Sequence, residues 1–204
     1  MLEKVQAYDI KFIQKASPTS RDAFNFCRVY RFYTDPIPTC QRLKYIIRAE
    51  AHDKVFAIKF YAARDKKLDN KYNRILGVYD YISALRIFYT CASIIPKLME
   101  DFPEYSYIVN GARTIDINKK IENESETQRF RVYRALATKI IGTDSFEHYQ
   151  FKEISSYLLV KKQPNIDTEE EKNKIKQMFL DRYKIEDILS LIHISEPTRH
   201  AQIS

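Results

Sequence analysis

The sequence lacks tryptophan altogether and has only three glycines among its 204 residues. So few glycines argue against glycine-rich phosphate loops and against tight hairpins that need a glycine at positive φ. The short fingerprints of zinc proteases, serine hydrolases, P-loop nucleotidases and dinucleotide-binding proteins are also absent from the sequence. We therefore expect no cofactor.

Cysteine is scarce as well, with Cys27, Cys40 and Cys91 spread widely along the chain. An odd number of cysteines without a CxxC pair predicts neither a disulfide framework nor a zinc site. Reduced thiols in the core, or half-buried at its edge, are the expected state. The sequence therefore predicts no metal ion and a reducing compartment.

Long hydrophobic runs are missing too. The N-terminus is charged from Glu3 and has no apolar core of a signal peptide. The most apolar segment, residues 83–99, is interrupted by Arg86, Pro96 and Lys97, so we expect it to be too polar and too short to span a bilayer. These features predict a cytoplasmic protein with no membrane partner.

The composition is otherwise ordinary for a globular chain, with 45% apolar and 30% charged residues. The 34 Lys and Arg residues exceed the 27 Asp and Glu residues, and the net charge is +7. This excess favours an acidic partner, either nucleic acid or an acidic protein. A lysine-rich chain that is simply soluble explains the charge equally well, and the oligomeric state stays open.

Strand periodicity dominates the first third of the chain. Apolar and polar residues alternate over residues 23–34, and Arg28 alone breaks the apolar face. That face holds the aromatic residues Phe24, Phe26, Tyr30 and Phe32. Two further alternating stretches, residues 44–51 and 55–62, are separated by a segment of turn length. We expect a hairpin there, with His52 at the surface of its turn.

Helical periodicity follows a polar connection. A first helix is predicted to begin near Asp80 or Ser83, and its apolar residues recur at helical spacing. Pro96 lies inside this pattern, so we expect it to kink the helix near its last turns. A short apolar strand is predicted next, at residues 105–109.

A second helix is marked more clearly. Ser125 and Gln128 have the spacing of a capping box, and Gly142 stands where a left-handed C-terminal cap is expected. Two strands are predicted after it, over residues 145–154 and 155–162. A third helix is predicted from Thr168, with acidic residues in its first turn, as the helix dipole prefers.

These elements predict the α+β class, with a mostly antiparallel sheet, two helices packed on one face and a C-terminal helical appendage. Residues 1–162 are expected to form a single α+β domain. Residues 163–188 are expected to form a linker and the last helix.

Two basic clusters are candidate sites for nucleic acid or another anion. The first runs from a strand end into the second helix and includes Arg113, Arg129, Arg131 and Arg134. Glutamates near the same helix start would satisfy its dipole, so a solvated helix face is the alternative. The second cluster follows the predicted hairpin and includes Lys59, Arg64, Lys66 and Lys67. Tyrosines interleaved there suit base stacking, although an ordinary basic loop has the same composition.

His148 is the one weak catalytic candidate. It lies in a strand pattern near tyrosines and carboxylates, which is compatible with acid–base chemistry. A polar residue at a strand surface is the alternative. The function expected first is a non-enzymatic binding or accessory domain with a basic surface. A small metal-independent ribonuclease of toxin type, or an assembly domain that uses the last helix, are the alternatives.

The second half of the body is similar to uncharacterised bacterial domains of unknown function. The pattern combines a strand, a turn with a small residue and an arginine, and a helix start of the form R-x-x-x-Y-R. It is carried here by Gly111, Arg113, Arg129, Tyr133 and Arg134. The long insertion of residues 114–127 departs from that pattern. The resemblance implies the fold and no particular activity.

Residues 189–204 resemble no protein module. Leu189 to Arg199 match, codon by codon, the conceptual translation of a transposase-type sequencing adaptor. We therefore expect this segment to be translated adaptor rather than protein, with the natural chain truncated after Ile188, and we do not count His193 and His200 as ligands. The segment holds one arginine and one glutamate, so the net charge of the remaining chain is unchanged.

Overall fold

The computed structural model describes residues 5–20, 22–38, 41–74, 80–114 and 121–182. The strands are β1 (Lys11–Ala16), β2 (Phe26–Tyr33), β3 (Lys44–His52), β4 (Val55–Ala62), β5 (Ser106–Asn110), β6 (Phe146–Phe151) and β7 (Ser156–Lys161). The helices are α1 (Tyr81–Ala92), α2 (Ile94–Asp101), α3 (Gln128–Ile140) and α4 (Thr168–Arg182). The adaptor-like segment lies outside the described residues.

The strands form one mixed sheet in the order β1-β2-β3-β4-β5-β7-β6. Strands β4 and β5 run parallel, and the other neighbouring pairs run antiparallel. A parallel pair needs a crossover connection, and residues 63–105, which contain α1 and α2, provide it. The structure confirms the α+β class and the predicted β3–β4 hairpin.

The main core lies between one face of the sheet and helices α1, α2 and α3. Successive side chains of a strand point to opposite faces, so the residues at every second position of β3 and β4 reach this core. They are the residues whose alternation predicted these strands, namely Tyr45, Ile47, Ala49, Ala51, Phe56, Ile58, Phe60 and Ala62. The alternating pattern therefore identified the buried face of both strands.

Helix α4 packs on the opposite face of the sheet. Its Ile175 is 4% exposed and joins a smaller core made by Val55, Leu158 and Val160. Near the end of the helix, the Arg182 guanidinium donates to the Asp53 carboxylate in the β3–β4 turn, at 2.6 Å. The helix expected as an appendage thus covers the sheet, and the boundary at residue 162 stays a prediction.

The first predicted helix is interrupted rather than kinked. Helix α1 ends at Ala92 and α2 begins at Ile94, so the break at Ser93 precedes Pro96 by almost one turn. Pro96 is the third residue of α2, where a backbone N–H would have no partner within the helix. Helix α1 begins at Tyr81, beside Asp80, which was one of the two predicted starts. Asp80 is its N-cap, and the Asp80 carboxylate accepts from the Ser83 N–H at 2.7 Å.

Two other local predictions were wrong. Phe24 precedes β2 and packs with Cys27 and Val29 on the other side of the sheet, not with the aromatic face. The N-cap of α3 is Thr127, whose hydroxyl accepts from the Phe130 N–H, and not Ser125. Gly142 does follow α3 with a φ of +69°, as the left-handed cap required.

The stretch from Tyr81 to Asp101 has the length and composition of a membrane-crossing helix. The expectation that residues 83–99 do not span a bilayer stays a prediction, because length and composition of one helix carry little weight. Half of its most apolar window is buried in the fold, and the core helix of a soluble protein passes the same test. Its buried residues, which include Phe88, Ile94 and Leu98, belong to the main core.

Candidate binding cavity

A cavity of about 410 Å³ lies beneath α4, and we call it the under-helix cavity. It opens where β4 and β5 separate, because their pairing extends only to Ile58 and Val109. Strand residues Ala57, Ile108 and Leu158 and helix residues Ile175, Phe179 and Leu180 form its apolar walls. Ligand pockets in proteins typically span about 300–1,000 Å³ and have mostly apolar linings. The volume and the mostly apolar lining of this cavity fall within that range.

Arg129 lines the cavity from the first turn of α3 and is only 4% exposed. Its guanidinium donates to the carbonyls of Tyr72 and Arg74, the latter at 2.8 Å. Its Nε has no hydrogen-bond partner among the described residues, and no acidic side chain there forms an ion pair with it. Burying a charge without an ionic partner costs free energy, so the burial of Arg129 is unfavourable in the absence of an anionic partner.

The position of Arg129 depends on a contact between β5 and α3. The Thr127 hydroxyl donates to the Gly111 carbonyl at 2.6 Å and accepts from the Phe130 N–H at 3.2 Å. This contact fixes the start of α3 against the end of β5. Two residues further on, the Arg129 guanidinium lies 5.7 Å from the Phe60 ring and 6.0 Å from the Phe88 ring.

Burial lowers the pKa of Arg129 from its usual value, whereas Tyr133, Tyr45 and Glu122 act in the opposite direction. The Glu122 carboxylate is itself engaged, since it accepts from the Gln128 N–H at 2.7 Å and from the Thr114 N–H at 3.1 Å. The carboxylate is therefore hydrogen-bonded to the backbone both at Thr114 and at the start of α3.

A buried ionic network flanks the cavity on β3 and β4. Glu50 is 5% exposed and pairs with Arg48 at 2.9 Å and with Lys59 at 2.8 Å. Burial alone would raise the pKa of Glu50, but Lys59 and Arg48 hold it below its usual value. Lys59, which lines the cavity, therefore already has a carboxylate partner.

Tyr72 lines the cavity near this network and packs against Tyr61. Tyr61 and Tyr72 meet edge to face with their ring centroids 5.5 Å apart, and the Lys71 ammonium lies 5.3 Å from the Tyr72 ring centroid. Tyr61 is buried and Tyr72 is half-buried. Burial, followed by the charge of Glu50, raises the pKa of the Tyr72 hydroxyl, which stays neutral. These rings pack against each other, which is not the open arrangement expected for base stacking.

The prediction that His52 is a surface residue was wrong. His52 is the last residue of β3 and is fully buried, with its ring 5.0 Å from that of Phe179 on α4. Burial lowers its pKa to about 4, so the imidazole is neutral at physiological pH. The residue thus belongs to the contact between the sheet and α4.

The arginines of the first basic cluster do not converge. Arg129 is buried, Arg131 is exposed, and Arg134 pairs with Glu126 at 3.3 Å. The Arg113 Nε donates to the Glu122 carbonyl at 2.8 Å. Among the described residues of this cluster, Arg131 alone presents an exposed charge without an ion pair. Two further lysines that the sequence places between Arg113 and α3, Lys119 and Lys120, lie outside the described residues.

The second basic cluster is divided in a similar way. Lys59 is held by Glu50, and Arg64 and Arg74 approach the buried carboxylate of Asp65 at 3.9 and 3.5 Å. Lys66 and Lys67 are exposed, and neither forms an ion pair within the described ranges. The structure therefore brings together Lys59 and Arg129, one from each predicted cluster, at the under-helix cavity.

His148 connects α3 to the sheet. Its Nδ1 lies 2.7 Å from the Tyr157 hydroxyl, and its Nε2 lies 2.7 Å from the Gly142 carbonyl. Because that carbonyl only accepts, Nε2 carries a proton and donates it. Both ring nitrogens are thus engaged in structural contacts, and His148 adds no support to the ribonuclease alternative, which stays a prediction.

A second, polar groove of about 570 Å³ was not foreseen from the sequence. Arg86 stacks on Tyr8 with its guanidinium carbon 3.9 Å from the ring centroid, and it pairs with Asp35 at 2.5 Å. Arg42 lies over Tyr33 at 4.5 Å. The residues come from three distant segments, so no local motif could have predicted their meeting.

Within the part of the chain that the structure describes, no group of three or more His, Cys, Asp or Glu side chains is arranged to hold a metal ion. Cys27 and Cys91 are buried free thiols, and burial raises the pKa of Cys27 to about 12. Comparison of the chain with protein-family models, with curated proteins and with solved structures finds no match. The resemblance to bacterial domains of unknown function therefore stays a prediction.

Proposed function

We propose that this protein is a binding domain that holds a small, largely apolar molecule in the under-helix cavity. The observation that carries the proposal is the cavity itself, with about 410 Å³ of space and walls from the sheet and from α4. Apolar surface of this kind gains free energy when a ligand displaces water from it.

The polar groups at the cavity support binding rather than chemistry. The Lys59 ammonium is held by Glu50 at 2.8 Å, and the Tyr72 hydroxyl has a raised pKa. A nucleophile or general base needs a pKa near the working pH, and burial moves the pKa of Tyr72 away from it. The wider expectation of an accessory domain with a basic surface rests on the exposed Lys66, Lys67 and Arg131.

The absence of tryptophan from the sequence allows a direct binding test. Leu180 lines the cavity and is 41% exposed, so Leu180→Trp places a single fluorophore at the rim. Titration with 1-decanol should change its emission in a saturable way. Tyr81→Trp, at a site 66% exposed at the start of α1, is the matched control and should not respond.

A cavity-filling variant makes the test specific. Ala57 is 4% exposed and lines the cavity, so Ala57→Leu in the Leu180→Trp background should reduce decanol binding while circular dichroism stays unchanged. Equal responses in both backgrounds, or no saturable response at all, would contradict the proposal.

A further inference from the structure

We propose that the ligand of the under-helix cavity is an amphiphilic monocarboxylic acid whose carboxylate pairs with Arg129. This inference rests on the proposed binding function and adds the chemical class of the ligand. Its basis is the juxtaposition of a buried, incompletely paired guanidinium with apolar walls in one cavity.

The charges around the cavity single out Arg129. Asp69, Glu153 and Lys176 line the cavity but are exposed to solvent, which screens them. Lys59 is compensated by the buried Glu50. Arg129 alone among these lining residues combines burial with the lack of an acidic partner within the described ranges.

The hydrogen bonds of Arg129 leave donors for a ligand. A guanidinium carries five N–H donors, and the carbonyls of Tyr72 and Arg74 engage its two Nη atoms. These neutral acceptors orient the side chain without cancelling its charge. The Nε donor has no described partner, and a carboxylate is the planar acceptor that a guanidinium recognises best.

One buried positive charge calls for one negative charge. A monocarboxylate neutralises Arg129, whereas a dianionic phosphate would leave a surplus negative charge in a mostly apolar site. The remaining lining comes largely from residues such as Ile175, Phe179 and Leu158, which require an apolar ligand body. Together these features specify an acid head and a hydrocarbon tail or ring.

The test compares ligands that differ only in the head group. Decanoate and 1-decanol are titrated into the Leu180→Trp protein at neutral pH. A charge-assisted hydrogen bond in a buried site corresponds to about tenfold or more in affinity, so decanoate should bind at least that much more tightly. Decyl phosphate forms a third arm and should bind more weakly than decanoate.

Substitutions then test whether Arg129 causes the preference for decanoate over 1-decanol. Arg129→Gln should remove the advantage of decanoate while decanol binding remains. Arg131→Gln removes the same charge from an exposed position on the same helix and should leave the advantage intact. If Arg129→Gln fails to fold, the comparison of head groups in the Arg129→Lys variant replaces it, since lysine keeps the charge but not the planar fork.

The outcomes separate the two proposals. Equal binding of decanoate and decanol would overturn the monocarboxylate and leave the apolar binding function standing. An equal or stronger affinity for decyl phosphate would also overturn it. A decanoate preference that survives in Arg129→Gln would overturn the assignment to Arg129. Binding of no ligand would overturn the proposed function itself.

Discussion

Gly111 occupies a point where β5 touches the first turn of α3 and no side chain fits. A Cβ atom at this position would lie 2.6 Å from the Phe130 nitrogen and 2.6 Å from the Thr127 hydroxyl oxygen. Because the Phe130 nitrogen belongs to the helix backbone, it cannot move aside alone. Gly142 is required for a different reason, since it has a φ of +69° and open space around it.

We predict that Gly111→Ala lowers the free energy of unfolding by about 1–3 kcal/mol, because α3 must shift to admit the methyl group. At Gly142, alanine should cost about 1 kcal/mol, and asparagine should recover part of that loss because it tolerates the left-handed region. At Gly111, asparagine should be worse than alanine. Urea denaturation followed by circular dichroism measures all four variants.

A stability of Gly111→Ala within 0.5 kcal/mol of the wild type would contradict the close contact, since surface substitutions fall in about that range. The opposite ranking of asparagine at the two glycines is the sharper criterion, because it separates a lack of space from backbone strain.

For some single residues, the local sequence did not predict the role that the structure shows. The spacing Ser125–Gln128 is that of a capping box, yet Thr127 caps α3 because its hydroxyl also reaches the Gly111 carbonyl. His52 stands in a polar tripeptide that looks like a turn, yet Phe179 from the distant α4 covers it. In both cases the deciding partner is remote in the sequence.

At the scale of elements, α4 is held by few residues. Ile175 is its one buried residue within the described helix, and Met178 and Phe179 are partly buried against the smaller core. A helix that is polar on most sides resembles a solvated appendage, which explains the sequence-based expectation. The packing of Ile175 against Val55 and Leu158 was not visible in helix periodicity alone.

We predict that Ile175→Ala destabilises the protein by about 2–4 kcal/mol, because it opens a void between α4 and the sheet. Ile166→Ala is the matched control, since Ile166 is 39% exposed in the connection before α4. It should change stability by less than about 0.5 kcal/mol. Chemical denaturation gives the free energy of unfolding of both variants. Equal, small losses of stability in the two variants would mean that α4 is an independent appendage.

Elements formed by neighbouring segments were predictable. The β3–β4 hairpin follows from two alternating stretches and a short turn, because local pairing needs no other information. Strand β1 escaped prediction because nearly all of its residues are exposed at the sheet edge, so no buried face imposes a pattern. The cavity was not predicted either, although Arg129 was singled out, because Phe60 on β4, Arg129 on α3 and residues of α4 meet there from positions distant in the sequence.

At the scale of the whole molecule, part of the basic excess behind the net charge of +7 is buried or paired among the described residues. Arg48 and Lys59 surround a buried glutamate, and Arg129 is enclosed in the fold. Lys66 and Lys67 remain exposed and adjacent in sequence after β4. They are the residues of the second cluster on which binding to nucleic acid would depend.

We predict that the affinity for duplex DNA falls as the salt concentration rises, and that Lys66 and Lys67 account for part of the slope of log affinity against log salt. Replacing Lys66 and Lys67 with glutamine should reduce the slope of log affinity against log salt by about 2, because each phosphate contact contributes close to one. Replacing the exposed Lys97 and Lys139 on α2 and α3 removes the same charge and should change the slope less. Equal changes in both pairs would indicate diffuse attraction, and no binding at low salt would leave an acidic protein as the expected partner.

The parallel pairing of β4 with β5 also affects the order in which the strands pair during folding. Strands β1 to β4 pair with sequence neighbours, whereas β5 meets β4 only after residues 63–105 have crossed the sheet. Short loops close faster than long ones, and the N-terminal part leaves the ribosome first. Until β5 arrives, the apolar β4 is an open edge that can pair with another chain. A nascent or truncated chain that stops before Ser106 is therefore the form most prone to aggregation.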